Sequence, residues 1–313
     1  MVEVYAEPLC RRHYSSLLSW AVVVRLLLLI IAIACALVIA YATGGFWVQI
    51  KPTMDQATVQ YTQDALLLIE GGSPGMEQIW STNSLINAQF SEEFIPASVQ
   101  TSVEDTNYDG KPDVINFVAR VQSSTPVYGV KVLLQFQYGF FNLVRVQMYS
   151  LAYFSASTGT PGGVLYVDGD LNLVQRSPIN DMSYNGVYNY PILNSQPPNT
   201  LQSVQAPSQL LFEDIIADYK TRNYTTTYSN VYPVWKAGSG NTFELKMVVR
   251  IPPNQMIWYR PQTIEMLKNA WIQFLATFIV LWWLYSYVEQ FIFFFRLVST
   301  RVASDLHPKM QRF

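Results

Sequence analysis

The chain has 313 residues, of which 50% are hydrophobic and only 13% charged, and its formal net charge is −2. Charge this sparse lies well below the roughly 25% of soluble domains, which excludes a chain that is water-soluble throughout. The acidic balance, with no basic cluster interleaved with aromatics, speaks against a nucleic-acid partner, and two cysteines exclude a disulfide framework.

Residues 1–16 read as a short tail carrying Arg11 and Arg12. Cys10, close to the first apolar run, is either a palmitoylation target or an inert thiol. The first predicted span is 17–43. The softer Leu17 to Val24 leads into Leu26 to Thr43, and no charge follows Arg25 until Lys51. About 18 uncharged, mostly apolar residues cross the ~30 Å hydrocarbon core as a helix. Ala40-Tyr41-Ala42 has the small-x-small form of a signal-peptidase site. The stretch before it is too long and starts polar, with Arg25 deep in the chain, so the run is read as a retained span.

Residues 44–266 read as a mainly β domain. Period-two alternation places one strand face on a core and the other in water. It runs through Val130 to Tyr138 with one slip at Leu133, through Val144 to Met148, and from Phe243 to Ile251. Thr58 to Ile69, Ile115 to Val121, Val164 to Val174 and Tyr224 to Val234 are further predicted strands. Gly71 to Gly75, Gly159 to Gly163 and Asp168-Gly169-Asp170 are predicted turns. A helix is predicted at Leu210 to Tyr219, with Leu211, Ile215 and Ile216 on one stripe and Ser208 as its N-cap. Many antiparallel strands with one or two helices predict a β-sandwich-like fold. Ser177 to Ser208, rich in Asn, Pro, Ser and Tyr, is a predicted surface loop.

The second predicted span is 267–295. Ala270 to Val288 carries no charge, and the run continues past Glu289 into Phe291 to Phe295. Trp282, Trp283, Tyr285 and Tyr287 gather toward one end, and such rings favour the headgroup level. The tail 296–313 carries Arg296, Arg301, Lys309 and Arg312 against Asp305. Lys and Arg beside a span are retained in the cytosol, so both termini are predicted to be cytosolic. The domain between the spans is then extracellular or lumenal, with Arg25 snorkelling to the cytosolic interface. The only Asn-x-Ser/Thr sequon, Asn223-Tyr224-Thr225, falls in that domain and makes Asn223 a predicted glycosylation site.

The two histidines, His13 and His307, lie in the tails; Cys10 and Cys35 lie in a tail and a span. The large domain therefore holds no Ser-His-Asp triad, no Cys-His pair and no His-ligated zinc. Paired carboxylates remain available for glycosidase chemistry, but nothing singles out a pair, and the chain is read as no enzyme, with no small-molecule substrate. Neither span has a charge at its centre, so no ion pathway is visible. Gln273 and Glu289, near opposite ends of the second span, read as interface residues.

The sharpest motif runs from Asp105 to Asp113, in the form D-x-N-x-D-G-x-x-D. Calcium loops alternate oxygen ligands in this way, with glycine at the sharp turn and a backbone carbonyl next. The ligands of a structural calcium ion would be Asp105, Asn107, Asp109, the carbonyl of Lys111, and Asp113. Asn116 stands where an EF-hand has its Glu, so the loop is not an EF-hand. An Asx-rich turn with solvated charges accounts for the same residues, and both readings stand.

Several stretches, in order, resemble the transmembrane protein 231 family of the ciliary transition zone. They are Gly45-Phe46-Trp47, Glu104 to Asp113, Leu165 to Leu171, Tyr219 to Thr226, and Arg250 through Trp271-Ile272-Gln273. The sequon matches the family's position; Ser177 to Ser208 and the last dozen residues match poorly. The resemblance implies a non-enzymatic scaffold subunit of the Meckel-syndrome/B9 complex at the cilium base. That complex forms a diffusion barrier between ciliary and plasma membranes and supports cilium assembly and signalling. The implied partners are meckelin-like and tectonic-like membrane proteins and B9-domain proteins, besides membrane lipid. The competing expectation is a membrane-anchored ligand-binding receptor or transporter accessory subunit, which would carry a concave aromatic pocket.

Overall fold

The computed structural model describes residues 11–16, 19–43, 48–180, 184–193, 207–230, 232–238 and 242–304. Cys10, His307, Asp305, Lys309, Arg312, Gly45-Phe46-Trp47 and the middle of the Ser177 to Ser208 loop lie outside the described residues. The chain divides into two compact units: Met1–Gln49 with Pro261–Phe313, and Ile50–Arg260.

The first unit opens with β1 (Arg11–Tyr14) and α1 (Trp20–Ala42). The second contains β2 (Lys51–Asp55), β3 (Thr58–Glu70), β4 (Glu77–Ser81), α2 (Ser84–Gln89), β5 (Ala97–Glu104), β6 (Val114–Gln122) and β7 (Val127–Phe140). It continues with β8 (Val146–Gln175), β9 (Ile179–Asn180), α3 (Pro207–Thr221), β10 (Tyr224–Asn230), β11 (Val234–Ala237), β12 (Thr242–Arg250) and β13 (Gln255–Arg260). The first unit closes with α4 (Thr263–Phe294) and β14 (Arg301–Ser304).

The β domain is organised by β8, which is 30 residues long. Its first half pairs antiparallel with β7, and the layer continues through β3 to β4. Its second half pairs parallel with β12, and that layer continues through β6 to β5. β10 and β11 also pair with the second half. One strand thus serves two layers, and the main core lies between them: Tyr61 of β3 meets Phe117 of β6 edge-on at 6.1 Å. The fold is mainly β with a couple of helices, as expected. It departs from an all-antiparallel layout at β12–β8 and at the short β13–β9 pair. A parallel pair needs a long crossover, and the chain through α3, β10 and β11 supplies it.

The β3–β7–β8 layer is covered on both faces. Leu66, Leu68, Leu133 and Leu151 form a second cluster with Ile86 and Phe90 around α2 and Phe212 and Tyr219 of α3. This explains the slip at Leu133: its side of the strand is covered too, so apolar residues belong on both parities.

Three local expectations are corrected. Gly159 to Gly163 and Asp168-Gly169-Asp170 are not turns but lie inside β8. Their glycines serve close approach: a Cβ on Gly162 would run into the Trp235 indole, and one on Gly169 into the Ser229 carbonyl. α3 begins at Pro207, so Ser208 lies within the helix and does not cap it; proline suits a first helical position, where its missing N–H has no partner to lose. The Gly71 to Gly75 bend does join β3 to β4, with Gly75 at φ +86°.

In the first unit, α1 buries Ala32, Ala36 and Ala40 at i, i+4 and i+8 and leaves Leu26, Leu27, Ile30, Ile31 and Val38 exposed. Such a small-residue stripe lets another helix approach closely. That helix is α4, whose Thr277 Oγ1 donates to the Ala36 carbonyl at 3.4 Å. At 1.5 Å per residue the 23 residues of α1 reach about 35 Å and the 32 of α4 about 48 Å, both enough to cross a bilayer. β1 and β14 pair antiparallel, joining the two tails.

Candidate functional site: the Asx loop, the sequon corner and the helix anchor

The predicted calcium residues lie together in the β5–β6 connection. Asp113 Oδ2 accepts from the Thr106 amide at 2.8 Å and the Asn107 amide at 3.3 Å. Asp105 Oδ2 accepts from Gly110 N at 2.9 Å, Asn107 Oδ1 from Asp109 N at 3.0 Å, and Asp109 Oδ1 from Lys111 N at 2.8 Å. The Asn107 and Asp109 bonds are Asx-turn bonds, the Asp105 and Asp113 bonds close the wider loop, and Gly110, at φ +83°, supplies the backbone they need. Lys111 Nζ donates to the Gln56 carbonyl, and Gln56 Nε2 to Asp113 Oδ1, tying the loop to the start of β3. The loop thus holds its shape through its own amides, while Asp105 Oδ1 is buried without a hydrogen-bond partner. Among the described residues, no group of three or more His, Cys, Asp or Glu side chains stands in metal-holding geometry.

Asn223 sits elsewhere, in the turn from α3 into β10, with its side chain exposed. Its backbone is fixed: the amide donates to the Tyr188 hydroxyl at 3.1 Å and the carbonyl accepts from Arg176 N at 2.9 Å. Beside it the Tyr219 hydroxyl, its pKa pushed up by burial, accepts from Thr226 N at 2.6 Å and Leu151 N at 3.3 Å. α3 is thereby pinned to two strands. Arg222, 2% exposed, donates from Nη1 to the Tyr149 carbonyl and lies against the rings of Tyr190, Tyr188 and Tyr219 at 4.5, 5.3 and 5.6 Å. Its Nε and Nη2 find no acceptor; the ring faces stabilise the cation instead.

Sequence reasoning missed Arg222, and it missed Gln135. Gln135 is fully buried on the Leu133 side of β7. Its Oε1 accepts from Ile192 N at 2.6 Å and Leu193 N at 2.9 Å, and its Nε2 donates to Asp64 Oδ2 at 2.6 Å. It clamps the 184–193 segment onto the layer. The slip at Leu133 was the signal, because it marks that side as covered.

Among the ion pairs that link neighbouring elements, one in each unit stands out. Arg250 forks onto Asp168 at 2.7 and 2.8 Å across the parallel β12–β8 register, and these bonds hold the Asp168 carboxyl below its ordinary range. Arg25 Nε meets Glu289 Oε1 at 2.9 Å, joining α1 to α4 five residues from the start of one and the end of the other.

Two cavities bear on the ligand-receptor expectation. A groove of about 720 Å³ along β5, β6 and β12 has Phe243 as its one aromatic lining residue. A slot of about 230 Å³ beneath α3 is lined by Tyr153, Tyr219 and Tyr228, below the ~300 Å³ of ordinary ligand pockets. Neither combines aromatic walls with the usual size.

The family profile described as Transmembrane protein 231 matches residues 1–302. Transmembrane protein 231 of Xenopus tropicalis is 31% identical over 304 residues, covering 96% of this chain and 95% of its own. The Gallus gallus protein of that name is 30% identical over 313 residues, covering 98% and 95%, and that of Homo sapiens 29% over 306, covering 96% and 94%. A cryo-EM structure of a proton-activated chloride channel aligns over 87% of this chain and 97% of its own at 9% identity, with a TM-score of 0.30, too low to carry any argument. A profile match running through the first helix, the β domain and the second helix settles the assignment: the chain belongs to the Transmembrane protein 231 family.

Proposed function

We propose that the chain is a non-enzymatic scaffold subunit of the ciliary transition zone, one piece of the diffusion barrier between ciliary and plasma membranes. The observation that carries this reading is the family match over both helices and the whole domain between them. The build agrees with it. Two helices with lipid-compatible outer faces anchor a β domain stiffened by a doubly covered layer, as suits a protein whose work is placement and lateral contact. In this reading both termini are cytosolic and the β domain is extracytosolic, with Asn223 glycosylated. Its partners are meckelin-like and tectonic-like membrane proteins and cytosolic B9-domain proteins.

The test is to express the tagged chain in ciliated cells. Staining concentrated at the cilium base, with a glycosidase-sensitive gel shift lost in Asn223→Gln, is expected. Uniform plasma-membrane staining would overturn the transition-zone role. A shift that survives the substitution, or no shift in a host that uses the sequon, would overturn the orientation.

A further inference from the structure

Tyr108 is the most exposed tyrosine among the described residues, at 91%. It stands at the tip of the Asp105 loop with φ +58°, in the left-handed region that a residue with a β-carbon rarely enters. The Asx bonds of Asn107 and Asp109 on either side hold it there, at 3.0 and 2.8 Å. Glycine or asparagine takes this backbone at less cost, and a ring this exposed is not kept for packing. An uncommon backbone, fixed by its neighbours and carrying an unpacked side chain, points to a role outside the fold.

The charge around the ring is one-sided. Asp109 follows it directly, Asp105 and Glu104 precede it by three and four residues, and Asp113 comes five after it. The single base in 104–113, Lys111, is turned into the domain: its Nζ donates to the Gln56 carbonyl at 3.0 Å and lies 3.9 Å from Asp55 Oδ1. Glu104 and Asp109 remain exposed, so the tip presents a phenol in an acidic field. Tyr232, 81% exposed, has no Asp or Glu within five residues. Tyr219 has acidic neighbours in Asp214 and Asp218 but is buried. Exposure and acidic surroundings coincide at Tyr108.

An exposed phenol among carboxylates suits one kind of modifying enzyme. A sulfotransferase holds an anionic phosphosulfate nucleotide beside the acceptor, so its cleft is basic, and opposite charge draws an acidic loop into it. Such enzymes that act on protein tyrosines work in the lumen of the secretory pathway. We infer, on the extracytosolic placement of the β domain proposed above, that Tyr108 is a tyrosine-sulfation site. The phenol oxygen attacks the sulfur of the phosphosulfate donor. A new O–S bond replaces the S–O bond to the donor phosphate, the phenol proton passes to a base of the transferase, and the nucleotide leaves as its phosphate. The aryl sulfate adds a fixed negative charge to a tip that is already acidic, which fits the loop for a basic surface on a partner.

The test expresses the tagged full chain in cultured vertebrate cells and probes it with an antibody to sulfotyrosine. The signal is expected in the parent chain and in Tyr232→Phe, and absent from Tyr108→Phe. It should resist phosphatase and disappear when chlorate starves the cells of the sulfate donor. A signal that survives Tyr108→Phe, or that phosphatase removes, overturns the proposal. Asp109→Asn keeps the oxygen that makes the turn and removes the adjacent charge, so it should lower the signal several-fold; an unchanged signal would overturn selection by the acidic surroundings. Glycosylation of Asn223, read in the same samples as a glycosidase-sensitive gel shift, separates two kinds of failure. An unsulfated chain that carries the glycan overturns the sulfation alone, and a chain with neither overturns the extracytosolic placement and the sulfation with it.

Discussion

The two units bury opposite residues. α1 hides Ala32, Ala36 and Ala40 and exposes Leu26, Leu27 and Ile30, whereas β3 hides Leu66, Leu67 and Leu68 and exposes its polar positions. The contrast reads out the solvent of each. In water, burying a leucine side chain is worth about 1.5–3 kcal/mol, so the domain core collects the large apolar residues. In lipid that drive is absent, and helices associate through close approach and occasional hydrogen bonds, so the small residues go to the contact. The same side chain is therefore worth different amounts in the two halves of one chain.

The sharpest way to break this comparison is to make one substitution in both places. Leu67→Ala, in a strand covered on both faces, is expected to cost about 2–5 kcal/mol in chemical denaturation of the detergent-solubilised chain. Leu27→Ala, on the outer face of α1, is expected to cost less than about 0.5 kcal/mol. A comparable loss at Leu27 would mean that protein rather than lipid covers that face.

The next effect runs the other way, from small to large. Ala36→Leu inserts a branched side chain where α1 meets the Thr277 turn of α4 and is expected to cost about 1–3 kcal/mol of helix pairing. Cross-linking between cysteines placed on the two facing helices measures it, and an unchanged rate would show that the alanine stripe is not the contact. The stability of the β domain should stay as it is.

The same contrast decides what was legible in the sequence. The spans were readable because lipid leaves few polar residues and no central charge in a long run, α3, β6 and β12 because each keeps its period, and β3 because turn formers bound it. β8 was not readable as one strand. Gly159 to Gly163 and Asp168-Gly169-Asp170 carry turn-forming composition, and only the crossing of Trp235 and Ser229 over them explains why glycine stands there. β2, β5 and β13 are short or exposed, and pairing rather than pattern makes them strands. At the candidate sites, the Asp105 loop and Asn223 were found from local motifs. Gln135 and Arg222 were missed because their partners, Ile192, Leu193, Tyr149 and Tyr190, are distant in sequence or on a different element.

The smallest predicted effect concerns two of the arginine–carboxylate pairs, Arg250–Asp168 in the β unit and Arg25–Glu289 between the helices. Arg250–Asp168 joins strands in water, and both groups are partly exposed. Such pairs are worth at most about 1 kcal/mol, so Asp168→Asn should cost no more than that at neutral pH. The Arg250 bonds lower the folded-state pKa of Asp168, so the stabilisation is present above the ordinary carboxylate value and is lost as pH falls through the lower, folded value. The gap between the parent chain and Asp168→Asn should therefore close on acidification below about pH 4, and should narrow with added salt at neutral pH. A gap that persists in acid would mean that the Asn variant disturbs packing rather than charge. Arg25–Glu289 has the same chemistry between helices, at the membrane interface to which Arg25 is expected to snorkel, where lipid headgroups take up part of the space open to water and salt. Arg25→Ala should therefore weaken helix pairing with less dependence on salt than Asp168→Asn shows, and equal salt dependence in the two would place both pairs in open water.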